Sequence, residues 1–220
     1  MKPYKSIEEF PKKLPIFPLT GAVLFPQTQL PLNIFEPRYV QMIDEALSTP
    51  NRIIGMIQPH QTKGTDIKTL KKVGCTGRIS SFSETGDGRY LVTLSGLVRF
   101  QVAEELPTTT PYRQIIANYN EYQHDLFPES ADQIDRGHLL SLIKKYLKQR
   151  NLLVDWDIIE QTPTDHLINY SGVLVPFTPE EKQLLLEANT LIGRCRALEA
   201  LFQSYEHEHP ENTGGSNELH

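Results

Sequence analysis

Residues 30–39 read LPLNIFEPRY, and within this stretch a strand pattern changes directly into a helix start. Every second residue of LPLNI is aliphatic, which is typical of a strand with one apolar face. Pro31 has no amide hydrogen to donate, so it indicates an edge strand or a bulge. Pro37 suits the first turn of a helix, where its missing N–H would have no partner. The stretch therefore predicts an edge strand followed at once by a helix that covers the open end of a barrel.

The two charged residues beside Pro37 could be architectural or functional. Glu36 is a cap candidate, because a negative charge suits the positive end of a helix. Arg38 lies in the first turn, where a cation is mildly unfavourable, so it should have a partner such as Glu36 or Glu45. An exposed ion pair would be worth less than about 1 kcal/mol. The alternative is an anchor for a partner's carboxylate or backbone, and we favour the ion pair.

The first 120 residues have the two-residue periodicity of strands. Glycines in Gly86-Asp87-Gly88 can supply a positive φ between two strands, and Gly96 can break or bulge the chain between two others. The predicted strands are 14–19, 28–35, 52–58, 73–83, 89–95, 97–104 and 112–122. Seven short strands and one early helix predict a small, largely antiparallel barrel. The segment 59–72 is expected to be a structureless loop, of functional or merely solvated character.

After about residue 126 the periodicity changes to that of helices. Thr178, Pro179 and Glu181 form a capping box with proline at the first helical position. A further helix is expected around Thr164–Tyr170. The last helix should present an apolar seam made of Leu191, Cys195, Leu198, Phe202 and Tyr205. The predicted organisation is α+β: a barrel part at 1–125, a helical bundle at 126–206 and a disordered tail at 207–220.

Composition limits the function classes. Hydrophobic residues make up 39% and charged residues 22%, as in soluble globular proteins. The net charge of −5 and pI of about 5.8 argue against a nucleic-acid binder, which usually has a basic surface. No apolar run is long enough for a membrane span or a signal peptide. The two cysteines have no CxxC spacing, so a reducing cytoplasm is expected.

Chemical motifs are scarce. Cys75 lies between glycines, and His60 could be a base for it, but a free cysteine within a strand pattern is more often a small buried hydrophobe. Cys195 belongs to the helical seam. The run His207-Glu208-His209 lacks converging ligands and is interpreted as a solvated tail. No acid–base pair, zinc motif or nucleotide motif stands out, so we expect no catalytic residue, cofactor or metal.

Exposed apolar residues are the better functional signal. The loop 22–26 contains Leu24 and Phe25, and it either folds back over the barrel or forms a docking surface for an extended chain. An unpaired strand edge offers a second binding route. The candidate partner-binding residues are Leu24, Phe25, Pro26, Phe35, Glu36, Arg38 and Tyr39.

Several stretches together resemble the N-terminal domain family of Lon proteases, especially its short stand-alone members. They are residues 14–43, the glycine-containing strand VGCTGRI (73–79), GRYLVTLSGLVRFQV (88–102), and VPFTPEEKQLLLEANTLIGRCRALEALF (175–202). The last contains the Lys182, Gln183, Leu185, Leu186, Glu187 run. The resemblance spans about residues 13–205 and implies a PUA-like β pseudo-barrel followed by a helical bundle.

The resemblance implies a non-catalytic module that binds unfolded or extended polypeptides, as an adaptor for proteolysis or quality control, with a protease or another protein as partner. No P-loop is present, and the closest arrangement, TKGTD (62–66), has the wrong order. We expect the chain to hold no serine–lysine peptidase domain. RNA binding is the alternative, because PUA-like barrels elsewhere bind RNA. Its cation set is Lys63, Lys68, Lys71, Lys72, Arg78, Arg89 and Arg99. A hydrolase using Cys75 is a third possibility.

Overall fold

The computed structural model describes residues 4–61, 68–127 and 129–208. The strands are β1 (Lys13–Pro18), β2 (Gln29–Ile34), β3 (Ile53–Ile57), β4 (Pro59–Gln61), β5 (Lys68–Leu70), β6 (Val73–Glu84), β7 (Tyr90–Leu106) and β8 (Gln114–Asn118). The α-helices are α1 (Pro37–Leu47), α2 (Arg136–Gln149), α3 (Trp156–Gln161), α4 (Thr164–Leu174), α5 (Pro179–Glu187) and α6 (Leu191–Glu208). Short 3-10 helices lie at Ile7–Glu9 and Asn120–Leu126. Apart from α1, which lies between β2 and β3, the strands come first and the α-helices follow, so the α+β prediction is confirmed.

Six strands form one sheet that closes on itself. Their order is β2-β7-β6-β3-β1-β8, and β7 also pairs with β8, which completes the ring. All pairs are antiparallel except β1 with β3. Strand β2 lies outside the ring and pairs with the first half of β7. The predicted barrel and the edge position of Pro31 are confirmed.

Helix α1 covers one end of this barrel, as predicted. Its buried face consists of Tyr39, Met42, Ile43 and Ala46. The Tyr90 hydroxyl of β7 donates to Asp44 at 2.9 Å, and the Tyr112 hydroxyl just before β8 donates to Glu45. The helix therefore bridges strands on two sides of the barrel.

Strand β7 differs from the prediction of two strands separated by Gly96. It runs unbroken for 17 residues, and Gly96 lies opposite Gly77 of β6 inside the pairing. A Cβ at Gly96 would lie 1.9 Å from the Phe25 carbonyl oxygen. Glycine is thus needed here for the close approach of another segment, and it does not end the strand.

The expected structureless loop 59–72 is partly wrong. Strands β4 and β5 pair within it, with Pro59 opposite Leu70 and His60 opposite Thr69. Three-residue strands are too short to show a period of two, which is why the pattern was not visible. Residues 62–67, with Lys63 and the TKGTD run, lie outside the described residues.

The helical part follows the predicted seams. Leu191, Cys195, Leu198 and Phe202 of α6 are at most 3% exposed. The capping box at α5 is present, with Glu181 N–H donating to the Thr178 hydroxyl and Thr178 N–H donating to the Glu181 carboxylate. Helix α6 continues to Glu208, two residues beyond the predicted end of the bundle at 206. Residues 209–220 lie outside the described part of the chain.

A buried arginine joins the barrel to the bundle. Arg99 of β7 is fully buried, and its guanidinium bonds both carboxylate oxygens of Asp125 at 2.7–3.2 Å. The same guanidinium donates to the carbonyls of Leu186, Ala188 and Asn189 at the end of α5. Burial works against the charge, but the Asp125 carboxylate outweighs it and the pKa of Arg99 is raised. Arg99 of β7 thus caps the C-terminal end of helix α5.

Among the described residues, no helix is both long and apolar enough to cross a membrane.

Candidate protein-binding surface

The loop 22–26 lies inside the protein. Leu24 and Phe25 are 0% exposed and Pro26 is buried. The loop is held against β7, where Gln27 N–H donates to the Gly96 carbonyl at 3.0 Å. The docking-surface alternative is therefore wrong for this loop, and the packing alternative is right.

The Phe25 ring lies between the barrel and the bundle. A Cβ at Gly172 of α4 would lie 2.6 Å from two atoms of this ring. The Arg194 guanidinium of α6 lies 5.2 Å from the ring centroid. Asn169 of α4 donates to the Pro26 carbonyl at 3.3 Å. These residues connect the two halves of the chain and cannot contact a partner in this structure.

The residues at the strand-to-helix junction divide into buried and exposed positions. Tyr39 is 6% exposed, with its ring 4.3 Å from Phe17, and cannot serve as surface. Arg38 donates to one oxygen of Glu36 at 2.6 and 2.9 Å, and its guanidinium lies over the Tyr39 ring. Both partners of this ion pair are about half exposed. Glu36 occupies the N-cap position of α1, as predicted, but its side chain makes no capping hydrogen bond and pairs with Arg38 instead, which matches the ion-pair interpretation.

An exposed apolar pair lies where β2 pairs with β7. Phe35, just after β2, is 62% exposed, and Leu91 of β7 is 48% exposed. Leu91 is opposite Asn33, two residues before Phe35, so both side chains lie on the outer face of the sheet. Pro31 extends this face and is exposed. We call Pro31, Phe35 and Leu91 the outer patch.

The opposite face of the same strands is core. Ile34, Val92 and Leu94 are at most 2% exposed. Since side chains alternate between faces, the outer patch cannot turn inward without shifting the pairing by one residue. The patch is thus fixed by register at the surface.

The outer edge of β2 pairs with no strand among the described residues. The Thr28 carbonyl accepts from Gly96 of β7, so by alternation residues 29, 31 and 33 direct their backbone groups outward. Gln29 N–H is already bonded to the Tyr170 hydroxyl at 3.2 Å, and Pro31 has no N–H. The edge therefore offers three carbonyls and the Asn33 N–H. It can accept N–H groups from an extended chain, while a copy of itself would be a poor match.

The thiols have no catalytic surroundings. Cys75 is fully buried, and burial raises its pKa well above the ordinary range. Burial, together with Glu199, raises the pKa of Cys195 to about 12. Both thiols are protonated at neutral pH, and nucleophilic attack needs a thiolate.

One cluster has the spacing of a cation site. Potential ligand atoms of His124, Asp125 and Glu129 lie within 4.8 Å of one another. Arg99 bonds both Asp125 oxygens, and Glu129 accepts from Leu191 N–H at 2.8 Å. His124 Nε2 lies 2.8 Å from the Asn189 carbonyl. The ligand atoms are already in use beside a cation, so the cluster has a structural role.

The RNA alternative loses part of its cation set. Arg99 is buried, and Arg89 pairs with Asp87 at 2.9 Å. Lys63 lies outside the described residues. Because it is buried, Arg99 cannot contribute to a basic surface.

Two exposed apolar features were missed from the sequence. Leu91 could have been found, because the predicted inward residues Tyr90, Val92 and Leu94 leave it on the other face. The second is LLVDWDII (152–159), which concentrates six apolar residues in eight. Its exposure depends on where α3 packs, which the local pattern does not determine.

Together these elements define an α+β domain with a closed β-barrel, a covering helix and a fused helical bundle. The profile of the family described as "ATP-dependent protease La (LON) substrate-binding domain" matches residues 13–203. The chain belongs to this family.

Similar proteins support the same family. The chain is 30% identical over 204 residues to Lon protease of Syntrophus aciditrophicus, covering 88% of the chain and 25% of the relative. It is 29% identical over 213 residues to Lon protease of Parabacteroides distasonis, covering 92% and 25%. The chain thus spans about a quarter of the length of these relatives.

The fold matches the Lon N-terminal domain protein from Xanthomonas campestris, with a TM-score of 0.60, 21% identity and coverage of 87% and 97% of the two chains. It also matches the N-terminal domain of Mycobacterium avium complex Lon protease, with a TM-score of 0.61, 18% identity and coverage of 88% and 98%. The predicted PUA-like barrel and bundle of the Lon N-terminal domain are confirmed.

Proposed function

We propose that this protein is a non-catalytic module that binds unfolded or extended polypeptides through the outer patch and the open edge of β2. Membership of a substrate-binding domain family supports the class of function. The single observation that carries the site is Phe35, a large aromatic residue 62% exposed beside an unpaired strand edge.

Binding combines two interactions. An extended segment pairs with β2 by donating N–H groups to the outward carbonyls of residues 29, 31 and 33. Its apolar side chains cover Phe35 and Leu91. Folded proteins have few extended segments that are free to pair with β2. Pairing with this edge therefore favours unfolded chains over folded ones. Glu36 and Arg38 lie next to the patch and are exposed, so they can bond polar groups of the same segment.

The wider role extends this proposal. Held polypeptides would be passed to a protease or a quality-control partner in the cytoplasm, with this chain acting as an adaptor. Protonated, buried thiols support a binding role over hydrolysis. RNA binding is not proposed, because the net charge is −5 and Arg99, one member of the predicted cation set, is buried in an ion pair with Asp125.

The test measures binding of a permanently unfolded, fluorescently labelled model protein by anisotropy. We expect the wild type to bind it and to ignore the folded form. Phe35→Ser with Leu91→Ser should weaken binding by about tenfold or more, as for central contact residues. Leu184→Ser on α5 removes an equally exposed leucine (54%) elsewhere and should have no effect.

A second arm tests strand pairing. A bound peptide is compared with a copy N-methylated at alternate residues, which cannot donate to β2. Methylation can fall on the odd-numbered or on the even-numbered residues of the peptide. We expect one of these two patterns to abolish binding and the other to retain it. Equal binding by the wild type and the Phe35/Leu91 variant, or no retention of unfolded chains by the wild type, would overturn the proposed site.

A further inference from the structure

A cavity of about 290 Å³ lies between helix α1 and the outward faces of β1 and β8. Pro15 of β1 is opposite Gln114 of β8, and both residues line the cavity, as does Lys13 two positions earlier. Leu14 and Ile16, which alternate with them, are fully buried in the core. The cavity is therefore separate from the barrel core and is covered by the C-terminal half of α1.

This cavity has the size and the walls of a site for a small ligand. Ligand pockets usually measure ~300–1,000 Å³ and have mostly apolar walls with a few well-placed polar groups. The present cavity is at the small end of that range. Its apolar wall residues are Pro11, Pro15, Met42, Ala46, Pro50 and Ile53. An occupant must therefore be small and must carry an apolar body.

One polar atom in the wall is without a partner. Gln114 is 7% exposed, and its Oε1 is buried and accepts no hydrogen bond from any residue that the structure describes. Buried polar atoms in native proteins are nearly always hydrogen-bonded, because an unpaired one costs stability. A ligand in the cavity can supply the missing hydrogen bond.

The neighbours of Gln114 determine which end of its amide is free. The Thr110 hydroxyl donates its hydrogen to the Tyr112 carbonyl at 2.9 Å, and the Tyr112 hydroxyl donates its hydrogen to Glu45. Both hydroxyls can therefore only accept from Gln114. The Gln114 NH₂ group donates to the Thr110 hydroxyl at 3.4 Å. The free end is thus the carbonyl oxygen, and only a hydrogen-bond donor can satisfy it.

The charge beside this oxygen favours a cationic donor. Glu45 accepts from Tyr112, and also from Gln41 at 2.9 Å. These bonds lower the pKa of Glu45, so the carboxylate is ionised at neutral pH. Burial and Glu45 raise the pKa of Tyr112, and the Gln114 amide opposes this rise. The Tyr112 hydroxyl thus lies between the carboxylate and the amide, and a group bonded to Gln114 is close to the negative charge.

An anionic ligand fits this cavity less well. Lys13 is exposed and could attract an anion. Such a ligand would meet two acceptors, Gln114 Oε1 and the Glu45 carboxylate, and would leave the buried Oε1 unsatisfied. The single buried group in need of a partner therefore decides for a donor.

We propose that the cavity under α1 binds a small amine with an apolar body. The ammonium group donates to Gln114 Oε1 beside the Glu45 carboxylate, and the apolar body packs against Met42 and Ile53. Two sources carry this chemistry, a free amine and the amino terminus of a peptide. No residue of the outer patch lines the cavity, so the site is distinct from the proposed polypeptide-binding surface.

An NMR titration of the ¹⁵N-labelled 220-residue chain tests the site. The probe is 3-methylbutylamine. We expect saturable shifts of the Ala46 and Gln114 amide signals, with a dissociation constant of about 1 mM, as suits a ligand of so few atoms. The matched probe 4-methylpentanoate has the same branched body with a carboxylate, and it should not bind.

Gln114→Met removes the acceptor and keeps the length of the side chain. It should weaken amine binding by about tenfold or more, because a hydrogen bond to a charged group is lost. The unfolding midpoint should stay close to that of the wild type, since the lost oxygen has no partner in the free protein. Gln101→Met on β7, at a residue outside the cavity wall, is the matched control and should bind normally.

Glu45→Gln provides a second variant that does not depend on a buried substitution. Glu45 lies on the exposed surface of α1, and glutamine can still accept from Tyr112. This variant should fold normally and should bind the amine severalfold more weakly, because the negative charge is removed.

The peptide Leu-Gly-Gly, titrated alongside the amine, identifies the source. Binding of this peptide at least as tight as that of the amine assigns the site to polypeptide amino termini, and binding of the amine alone assigns it to a free amine.

Three outcomes would overturn the proposal: no saturable shift with either amine probe, equal binding of 4-methylpentanoate, or normal amine binding by Gln114→Met. The Phe35/Leu91 variant should bind the amine as the wild type does. Failure of the polypeptide-binding proposal and failure of this one are therefore separable.

Discussion

At Arg99 a full positive charge lies inside the protein, and it is compensated by groups from distant parts of the chain. Asp125 bonds it directly, and three carbonyls from 186–189 take the remaining N–H groups. The exposed Arg38–Glu36 pair contains the same kinds of groups but remains in water. The structure thus offers a buried and an exposed ion pair for direct comparison.

Removing one partner of the buried pair should be costly. Asp125→Ala leaves the Arg99 charge uncompensated at 0% exposure and should lower the free energy of unfolding by about 3–5 kcal/mol. Arg38→Ala breaks the exposed pair and should cost at most about 1 kcal/mol. Urea unfolding followed by circular dichroism measures both. Similar losses for the two variants would mean that Arg99 does not depend on Asp125.

Sequence reasoning reached these residues unevenly. Arg38 was expected to pair with Glu36, because the two lie close in the chain and a first-turn cation needs a partner. Arg99 was assigned to a surface cation set, because nothing local marks a buried arginine. Its partners lie 26 to 90 residues away along the chain. Such a pair is created by the fold and leaves no short-range pattern.

At the scale of elements, Phe25 connects β7 and α4 through two glycines. Gly96 admits its backbone and Gly172 admits its ring. An apolar loop with flanking turns is compatible with both exposure and burial, so the pattern of 22–26 could not decide between them. The space left by these glycines, on elements 71 and 147 residues further along, decides it.

Gly172→Ala tests this packing. In an open helix, alanine would stabilise by up to about 1 kcal/mol. Here the new Cβ would lie 2.6 Å from the Phe25 ring, so we expect a net destabilisation of about 1–3 kcal/mol in thermal or urea unfolding. Gly137→Ala on α2 meets only Asp135 at 3.4 Å and should be neutral or stabilising. A stable Gly172→Ala protein would show that the Phe25 ring moves freely.

Elements with local signals were predicted well. Pro31 indicated an edge strand, Pro37 the start of α1, and Thr178 with Glu181 the start of α5. Each of these signals depends only on the hydrogen bonds that the named residues can make, so it is visible in the local sequence. Strand β7 was divided wrongly, because a glycine that ends a strand and one that admits a neighbour look alike in the sequence. Strands β4 and β5 were too short to detect.

At the scale of the whole molecule, tyrosines contribute to the response of stability to alkaline pH. Burial, with a hydrogen bond to Glu45, raises the pKa of Tyr112 from 10.0 to about 12. Burial, with a hydrogen bond to Glu181, does the same for Tyr205. These phenols hold their protons more tightly in the folded than in the unfolded chain. Their contribution is complete below about pH 10 and is lost as the pH rises towards about 12.

We therefore expect the free energy of unfolding to fall between about pH 10 and pH 12. Lys182 opposes this trend, because burial lowers its pKa and deprotonation removes a penalty, but it is one group against several phenols. Urea titrations across this range, with phenolate absorbance recorded in parallel, provide the measurement. Tyr112→Phe with Tyr205→Phe should make the profile less steep, while the thiols of Cys75 and Cys195, whose pKa burial also raises, keep part of the slope. A wild-type profile as flat as that of the variant would contradict the assignment.

The bond network of Arg99 also bears on how the chain can be divided. A fragment ending after the strands would keep the arginine but lose the carbonyls of 186–189, and the bundle alone would lose the guanidinium that caps α5. Barrel and bundle are therefore expected to melt in one cooperative transition, and neither should persist as an autonomous folding unit. The order of elements suggests two modules, but the barrel and the bundle are expected to unfold as a single unit.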